Sequence, residues 1–383
     1  MLHTSWIEIS QSALVNNYKF LSEHFGDEVK ISSVVKGNAY GHGLELFVPL
    51  AEQCGQTHFS VFSADEALIV KNVSQLDPTI MIMGMVDNAQ MEWAIENDLE
   101  FFVFEMDRLE AAIKAAKLVG KKASIHLEVE TGMNRTGFEN SALIKALQLI
   151  KEHGNELSFT GLCTHYGGAE SIANYYRVKK QKIQYNRILK LVNATGMHPK
   201  YLHTACSAAA MRYPTTRMDL SRIGILQYGF FPSQEVFIEY ISKQEEKKDP
   251  LKRLISWKSR VMDVKRVRSG EFIGYGTSFL ANSEMNIASI PVGYSHGFSR
   301  SLSNQGRVLI HGKRVSVVGT VNMNMMLVDA TDLEGVKKGD EVVLIGKQGD
   351  LEISVASFAE FSEQVNYELL TRLPANIPRK IVD

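Results

Sequence analysis

A rhythm constrains this chain more than any single residue does. Over roughly the first 230 residues, short apolar runs alternate with amphipathic helical patterns. The runs are 31–36, 58–62, 79–84, 100–104, 123–130, 159–165, 201–206 and 223–228. They are rich in Val, Ile, Phe and Thr, and short enough to be strands buried on both faces. Between them, Leu143, Ala146, Leu147 and Ile150 fall at i, i+3, i+4, i+7, which predicts a helix over 140–153. Leu109, Ile113 and Ala116 do the same over 107–120, where Gly120 is a natural stop. Eight strand–helix units are what a (β/α)8 barrel needs. A doubly wound open sheet alternates in the same way, but the count and the span favour the barrel.

After Pro232 the texture changes. Residues 242–253 are charge-rich and read as a solvated connector. Beyond them, β-type runs at 258–267, 286–292, 307–310, 314–318, 326–328 and 341–345 are separated by Gly-containing turns. A helix is predicted only at 354–366. The expected architecture is therefore α/β: a TIM-like barrel over 1–240, then a mostly β C-terminal domain over 241–383.

Lys and Arg number 42 against 43 Asp and Glu, a net charge of −1. That balance argues against bulk nucleic-acid binding. Cys54, Cys163 and Cys206 are too scattered for a disulfide framework or a metal knuckle, so no metal is expected and a reducing cytosol fits. The opening residues have no basic start and no apolar run, so no signal peptide is expected. The longest apolar stretch, 79–86, is too short to cross a bilayer. A cytoplasmic protein without membrane or nucleic-acid partners is the expectation.

In a parallel barrel, chemistry sits where strands end. Lys36 ends the first run, in Ser-Val-Val-Lys-Gly-Asn-Ala-Tyr-Gly-His-Gly. An apolar setting lowers a lysine's pKa and frees its amine as a nucleophile; the alternative is a surface lysine in a flexible loop. Arg135, in Thr-Gly-Met-Asn-Arg-Thr-Gly, can present its planar fork to a carboxylate or simply pair within its turn. His165 ends the sixth run and is either functional or structural. Ser207 precedes small residues that suit phosphate binding by backbone N–H groups, or plain helix capping. Arg222-Ile223-Gly224-Ile225 opens the eighth run, where Gly224 and Ile225 offer backbone donors to a phosphate. Tyr275 stands between Gly274 and Gly276, a phenol exposed as acid or base, or an ordinary turn residue. Together these point to a phosphate-bearing aldehyde on Lys36 and an amino-acid carboxylate on Arg135.

These motifs, with Cys-Thr-His-Tyr, Cys-Ser-Ala-Ala, Gly-Tyr-Gly-Thr and Pro-Val-Gly-Tyr, closely resemble those of alanine racemases, fold-type III pyridoxal-phosphate enzymes. The resemblance spans nearly the whole chain. It implies that Lys36 holds pyridoxal 5'-phosphate as a Schiff base and acts on one face of the substrate, with Tyr275 as the base on the other. Members of the family supply that tyrosine from a neighbouring subunit, so a head-to-tail homodimer with shared sites is implied. Arg222 matches the arginine at the pyridine nitrogen, and His165 the residue linking it to the tyrosine. Tyr40, Ser207, Gly224 and Ile225 match phosphate-binding positions. Arg135 and the backbone of Met323 match carboxylate contacts, and Tyr294 a tyrosine at the entrance. The implied role is supply of D-alanine for peptidoglycan.

The chain departs from the pattern in four places. Glu128 stands where many members carry a carbamylated lysine, and we expect it to supply directly the anion that orients Arg135. The segments Asn322-Met323-Asn324-Met325 and Tyr294-Ser295-His296-Gly297 each lack the family's acid. Ala375 falls at or beside the place of a phosphate-binding tyrosine. The lost acids keep open a broader racemase acting on lysine, arginine or serine. Arg222 argues against a decarboxylase on the same architecture, because such enzymes place an acid at the pyridine nitrogen. Tyr275 and the second domain argue against a non-catalytic single-barrel carrier.

Overall fold

The structure, a computed structural model, describes residues 3–362 and 366–383. The chain forms two compact units. One comprises Ala13–Lys36 and Phe47–Lys252; the other comprises Met1–Ser12, Gly37–Leu46 and Arg253–Asp383.

Strand β1, Ser5–Ser10, opens the chain. The next eight strands in chain order are β2 (Lys30–Val34), β3 (His58–Ser63), β4 (Thr79–Met85), β5 (Glu100–Val103), β6 (Ala123–Glu128), β7 (Leu157–Cys163), β8 (Tyr201–His203) and β9 (Leu220–Ile223). Among the described residues these eight form a sheet of order β8-β7-β6-β5-β4-β3-β2-β9, and every pair is parallel. A parallel bridge between Cys206 and Arg222 brings the two ends of this sheet together. The Asp219 N–H donates to the Leu202 carbonyl at 3.1 Å and Arg222 N–H to Ala205 at 3.0 Å. The predicted TIM-like barrel is thus present.

The helices follow their predicted faces. Asn140–Glu152 buries Leu143, Ala146, Leu147 and Ile150. Met106–Val119 buries Leu109, Ala112, Ile113 and Ala116; Glu105 caps its first turn and Gly120 ends it at φ 74°.

The eighth predicted run, 223–228, is corrected: the strand is Leu220–Ile223, and Gly224 to Gly229 form turns. Several other predicted runs also overshoot at their carboxyl ends. Ile225, Leu226 and Tyr228 are at most 1% exposed, so their apolar character reports burial in a loop rather than extended backbone.

The other unit is mostly β, as expected. Its strands are β1 with β10 (Ile255–Arg260), β11 (Asp263–Val267), β12 (Met285–Ile290), β13 (Arg307–Ile310), β14 (Lys313–Val318), β15 (Met326–Asp329), β16 (Glu341–Gln348), β17 (Leu351–Ile353) and β18 (Arg379–Val382). The predicted run 258–267 is two strands here, β10 and β11. The order is β11-β12-β15-β14-β13-β16-β10-β1-β18, with β17 on β16. β1 runs antiparallel to β10 and parallel to β18, and buries Ile7 and Ile9 completely. Its Ile-Glu-Ile alternation is a strand signal that the sequence reading leaves unused. The predicted helix at 354–366 appears as Val355–Ser362, with a second helix at Asn366–Thr371; residues 363–365 lie outside the described residues.

Gly37–Leu46 also belongs to this unit and begins with an unusual turn. Gly37, Asn38, Ala39, Tyr40 and Gly41 all have positive φ, between 51° and 79°. A left-handed backbone costs an L-residue about 1–2 kcal/mol, so the turn needs outside support. Asn38 Oδ1 accepts from Leu44 N–H at 2.9 Å, and Arg379 Nη2 donates to the Gly41 carbonyl at 3.0 Å. A Cβ on Gly41 would lie 1.9 Å from the Leu370 carbonyl oxygen.

Candidate active site

The barrel unit gathers its chemistry at the carboxyl ends of its strands. Lys36 lies two residues beyond β2, after fully buried Val35. Its side chain is exposed at the mouth rather than enclosed. Burial by the surrounding wall is still the largest cause holding its amine below the ordinary lysine value, and the Arg135 and Arg222 cations add to it.

Arg135 is exposed on the loop after β6. Glu130 knits that loop, accepting backbone N–H bonds from Met133 (2.7 Å), Asn134 (2.8 Å), Arg135 (3.4 Å) and Gly132. Gly132, Asn134 and Gly137 have positive φ, which accounts for those residue types in the motif. Glu128 ends β6 and is 5% exposed. It does not pair directly with Arg135 as expected; its carboxylate accepts the Thr136 hydroxyl at 2.8 Å. Burial pushes its pKa up, while Thr136, Arg135 and Arg222 pull the other way.

His165 follows β7 by two residues. Burial first, then the charges of Arg222, Arg135 and Lys36, push its pKa down to about 3. Arg222, near the end of β9, is 5% exposed. It donates from Nη2 to the Thr164 carbonyl at 2.7 Å, and from Nη1 to His203 Nδ1 at 2.6 Å and the His203 carbonyl at 2.9 Å. Its imidazole partner is therefore His203, not His165. Sequence reading missed His203 and Glu130, because nothing local distinguishes a histidine inside a strand run or an acid beside a turn.

Ser207 begins the short helix Ser207–Arg212, and its hydroxyl accepts from Gly224 N–H at 3.0 Å. The two loops that were read separately thus meet. Among the described residues, the backbone N–H of Ile225 has no protein acceptor, although the residue is 1% exposed. A buried donor without a partner is costly, and this one lies one residue from the Ser207–Gly224 contact. An anion beside Ser207 would satisfy it. A phosphate-bearing aldehyde such as pyridoxal 5'-phosphate would fit that donor together with the amine of Lys36.

The remaining expected residues belong to the β unit. Tyr40 lies in the left-handed turn, its ring 5.9 Å from that of Tyr367. Tyr275 is 73% exposed between Gly274 and Gly276, which have φ 78° and 68°. Ser278, just past it, bonds Thr320 at 3.1 Å, and the Tyr294 N–H donates to the Asn322 carbonyl at 3.0 Å. Ser295 Oγ donates to the Met323 carbonyl at 2.7 Å, and Asn324 Nδ2 to Ser295 Oγ at 3.3 Å. Tyr275, Tyr294 and Met323 thus stand on loops bonded to one another, and Tyr294 and Met323 are 41% and 56% exposed. Ala375 carries no ring; its carbonyl accepts from Arg379 Nη1 at 3.0 Å.

Comparison with known proteins accords with this layout. The model of the alanine racemase N-terminal domain matches residues 9–232, and that of the C-terminal domain matches 254–381. An alanine racemase of Leptospira interrogans is 31% identical over 381 residues, covering 100% of this chain and 96% of the relative. One from Methanococcus maripaludis is 33% identical over 378 residues, 98% of each chain. Among solved structures, the Bacillus anthracis alanine racemase with bound L-Ala-P superposes with a TM-score of 0.89 at 31% identity, covering 100% of this chain and 96% of that one. The Streptomyces coelicolor enzyme gives 0.91 at 26% identity, over 99% and 98%. Two family models covering nearly the whole chain, on a barrel followed by a β unit, lead to one assignment: this protein belongs to the alanine racemase family of isomerases.

Proposed function

We propose that the protein interconverts L- and D-alanine with pyridoxal 5'-phosphate, by a two-base mechanism. One observation carries the reading: a lysine amine of lowered pKa at the barrel mouth, under the charges of two arginines. Lys36 would hold the cofactor's aldehyde, with Ser207, Gly224, Ile225 and Tyr40 on its phosphate and Arg222 at its ring nitrogen. When bound, the cofactor supplies an electron sink for the charge left on the substrate's α-carbon. Arg135 and the Met323 backbone hold the substrate carboxylate. Lys36 moves a proton at one face of the α-carbon, and the phenol of Tyr275 from a partner subunit moves one at the other. Opposed acid–base groups are what inversion requires. Arg222 is a permanent cation, so it disfavours protonation of the ring nitrogen and limits the sink. His165 is held neutral and can accept or donate one hydrogen bond near both cations. Tyr294 lines the entrance. The product would serve peptidoglycan synthesis in the cytoplasm, and the working form would be a head-to-tail homodimer.

A second reading is favoured by the entrance, where His296 and Asn324 stand at acidic positions of the family and each bonds Ser295. In that reading the enzyme also accepts lysine, arginine or serine. The test is formation of the D-enantiomer from L-alanine, L-serine, L-lysine and L-arginine, each given separately to protein supplied with pyridoxal phosphate. Rapid conversion of alanine alone supports the first reading. Comparable conversion of a basic substrate supports the second. No conversion of any, with the cofactor bound, would overturn both.

A further inference from the structure

A chain of buried hydrogen bonds crosses the barrel interior beneath Arg222. It begins at Glu100, the first residue of β5 and 8% exposed. Glu100 Oε2 lies 2.9 Å from His126 Nε2, midway along β6. His126 Nδ1 lies 2.8 Å from His203 Nε2, at the end of β8. His203 Nδ1 takes the Arg222 Nη1 donor at 2.6 Å. Both imidazoles are completely buried. They pass the ring of Phe102, 6.1 Å from His126 and 5.8 Å from His203 between centroids, in a cluster with Met81, Cys163 and Leu220. Gly161 leaves the space that His126 occupies: a Cβ there would lie 2.0 Å from His126 Nδ1.

Proton bookkeeping gives this chain a direction. A guanidinium only donates, so His203 Nδ1 must be bare. A neutral His203 then carries its proton on Nε2 and donates it to His126. His126 Nδ1 is therefore an acceptor, and its single proton sits on Nε2, donated to Glu100. Three donors point the same way, from the cation to the carboxylate. Burial alone would raise the Glu100 pKa, but the His126 hydrogen bond and the nearby His58 imidazole outweigh it and hold the carboxyl well below its usual range. Burial, then the Arg222 charge, holds His203 well below the usual histidine value. Both accord with an anion at one end and neutral rings between. His58 Nε2 lies 3.5 Å from the same Glu100 oxygen, buried and without a hydrogen-bond partner among the described residues.

We propose that Glu100 is a positioning residue for Arg222, acting through His126 and His203 to fix the direction in which the guanidinium donates and to temper how strongly it does so. Hydrogen bonds in series polarise one another, and the apolar interior leaves that polarisation unscreened. The anion makes His203 Nδ1 a better acceptor, which aligns the fork and offsets part of the Arg222 charge. The consequence for the reaction rests on the reading above, in which Arg222 faces the ring nitrogen.

The test uses holoenzyme with 15N-labelled histidine, arginine and pyridoxal 5'-phosphate, as wild type, Glu100→Gln and His126→Asn. The second variant keeps an acceptor near the Nδ1 position for His203 and cuts the link to Glu100. In the wild type, both His126 and His203 should be protonated on Nε2 and bare on Nδ1. In both variants the His203 and Arg222 nitrogen signals should move. The value of kcat should fall about tenfold, the lower end of what losing a partner behind a metal ligand costs, with KM for L-alanine nearly unchanged. A proton on Nδ1 of either histidine in the wild type, or unmoved Arg222 signals in a folded variant, would overturn the proposal. If the Arg222 signals move but kcat and the 15N signal of the cofactor's pyridine nitrogen do not, the relay stands and the placement of Arg222 against the ring falls.

Discussion

Tyr275 and Lys36 belong to different compact units, and both are exposed residues. Tyr275→Phe removes only the phenol oxygen, so the cofactor should still bind, with its visible absorbance intact. Racemisation should fall by roughly 10²–10⁴-fold, the usual contribution of a positioned acid or base; wild-type turnover in this variant would remove the tyrosine from the mechanism. Glu128 makes a subtler case, because its carboxylate bonds Thr136 and acts on Arg135 only through space. Glu128→Gln keeps an acceptor for the Thr136 hydroxyl and removes the charge. The expected outcome is a raised KM for L-alanine with kcat little changed, and unaltered kinetics would show that the anion has no part in carboxylate binding.

At the scale of elements, two glycines with nearly the same backbone separate conformation from crowding. Gly120 has φ 74° and open space around a would-be Cβ; Gly41 has φ 79° and the Leu370 carbonyl in the way. Gly120→Ala should cost about 1 kcal/mol, the left-handed penalty alone. Gly41→Ala should cost roughly 2–5 kcal/mol, adding a steric conflict that must be relieved by backbone movement. Equal losses in denaturant midpoint would mean that the Gly41 surroundings yield freely. The elements also show what a sequence can reveal. Apolar runs located seven of the barrel strands and touched the eighth only at Ile223; Lys36 and His165, just past strand ends, and Arg222, near the end of β9, are legible as candidates because function in such barrels follows strand ends. The relay was not legible. Glu100, His126 and His203 read as ordinary members of β runs, and only the curvature of the sheet brings them to Arg222. The pairing of β1 with β18 was hidden similarly, since the two strands lie at opposite ends of the chain.

For the whole molecule, shared sites make an arithmetic prediction. If each site takes Lys36 from one subunit and Tyr275 from the other, Lys36→Ala and Tyr275→Phe subunits are inactive apart but complement when mixed. A mixed dimer regains one intact site of its two, so equal mixing should restore about a quarter of wild-type activity. No recovery after subunit exchange would place both groups in the same chain's site. Stability against pH is also a property of the whole molecule. Burial lowers the pKa of His42 to about 4 and of His165 to about 3, and holds His58 and His203 below their usual value. These rings protonate in the unfolded chain near pH 6.5 but resist protonation when folded, so unfolding takes up protons below that pH. Their contribution to stability is complete above about pH 6.5 and is lost as pH falls toward the folded values. Calorimetry at pH 5 should register uptake of about two protons from His42 and His165, to which His58 and His203 add, and Tm should drop steadily from pH 7 to 5.

The turn from Gly37 to Gly41 has a consequence of chirality. An L-amino-acid chain here holds the backbone hand that D-residues adopt by default. It persists only while Asn38, Arg379 and the Leu370 backbone enclose it. Once those partners let go, the segment must rewind to the opposite hand. Loss of that local handedness and opening of the β unit are therefore one event, and the backbone following Lys36 is folded only as long as a distant strand keeps it so.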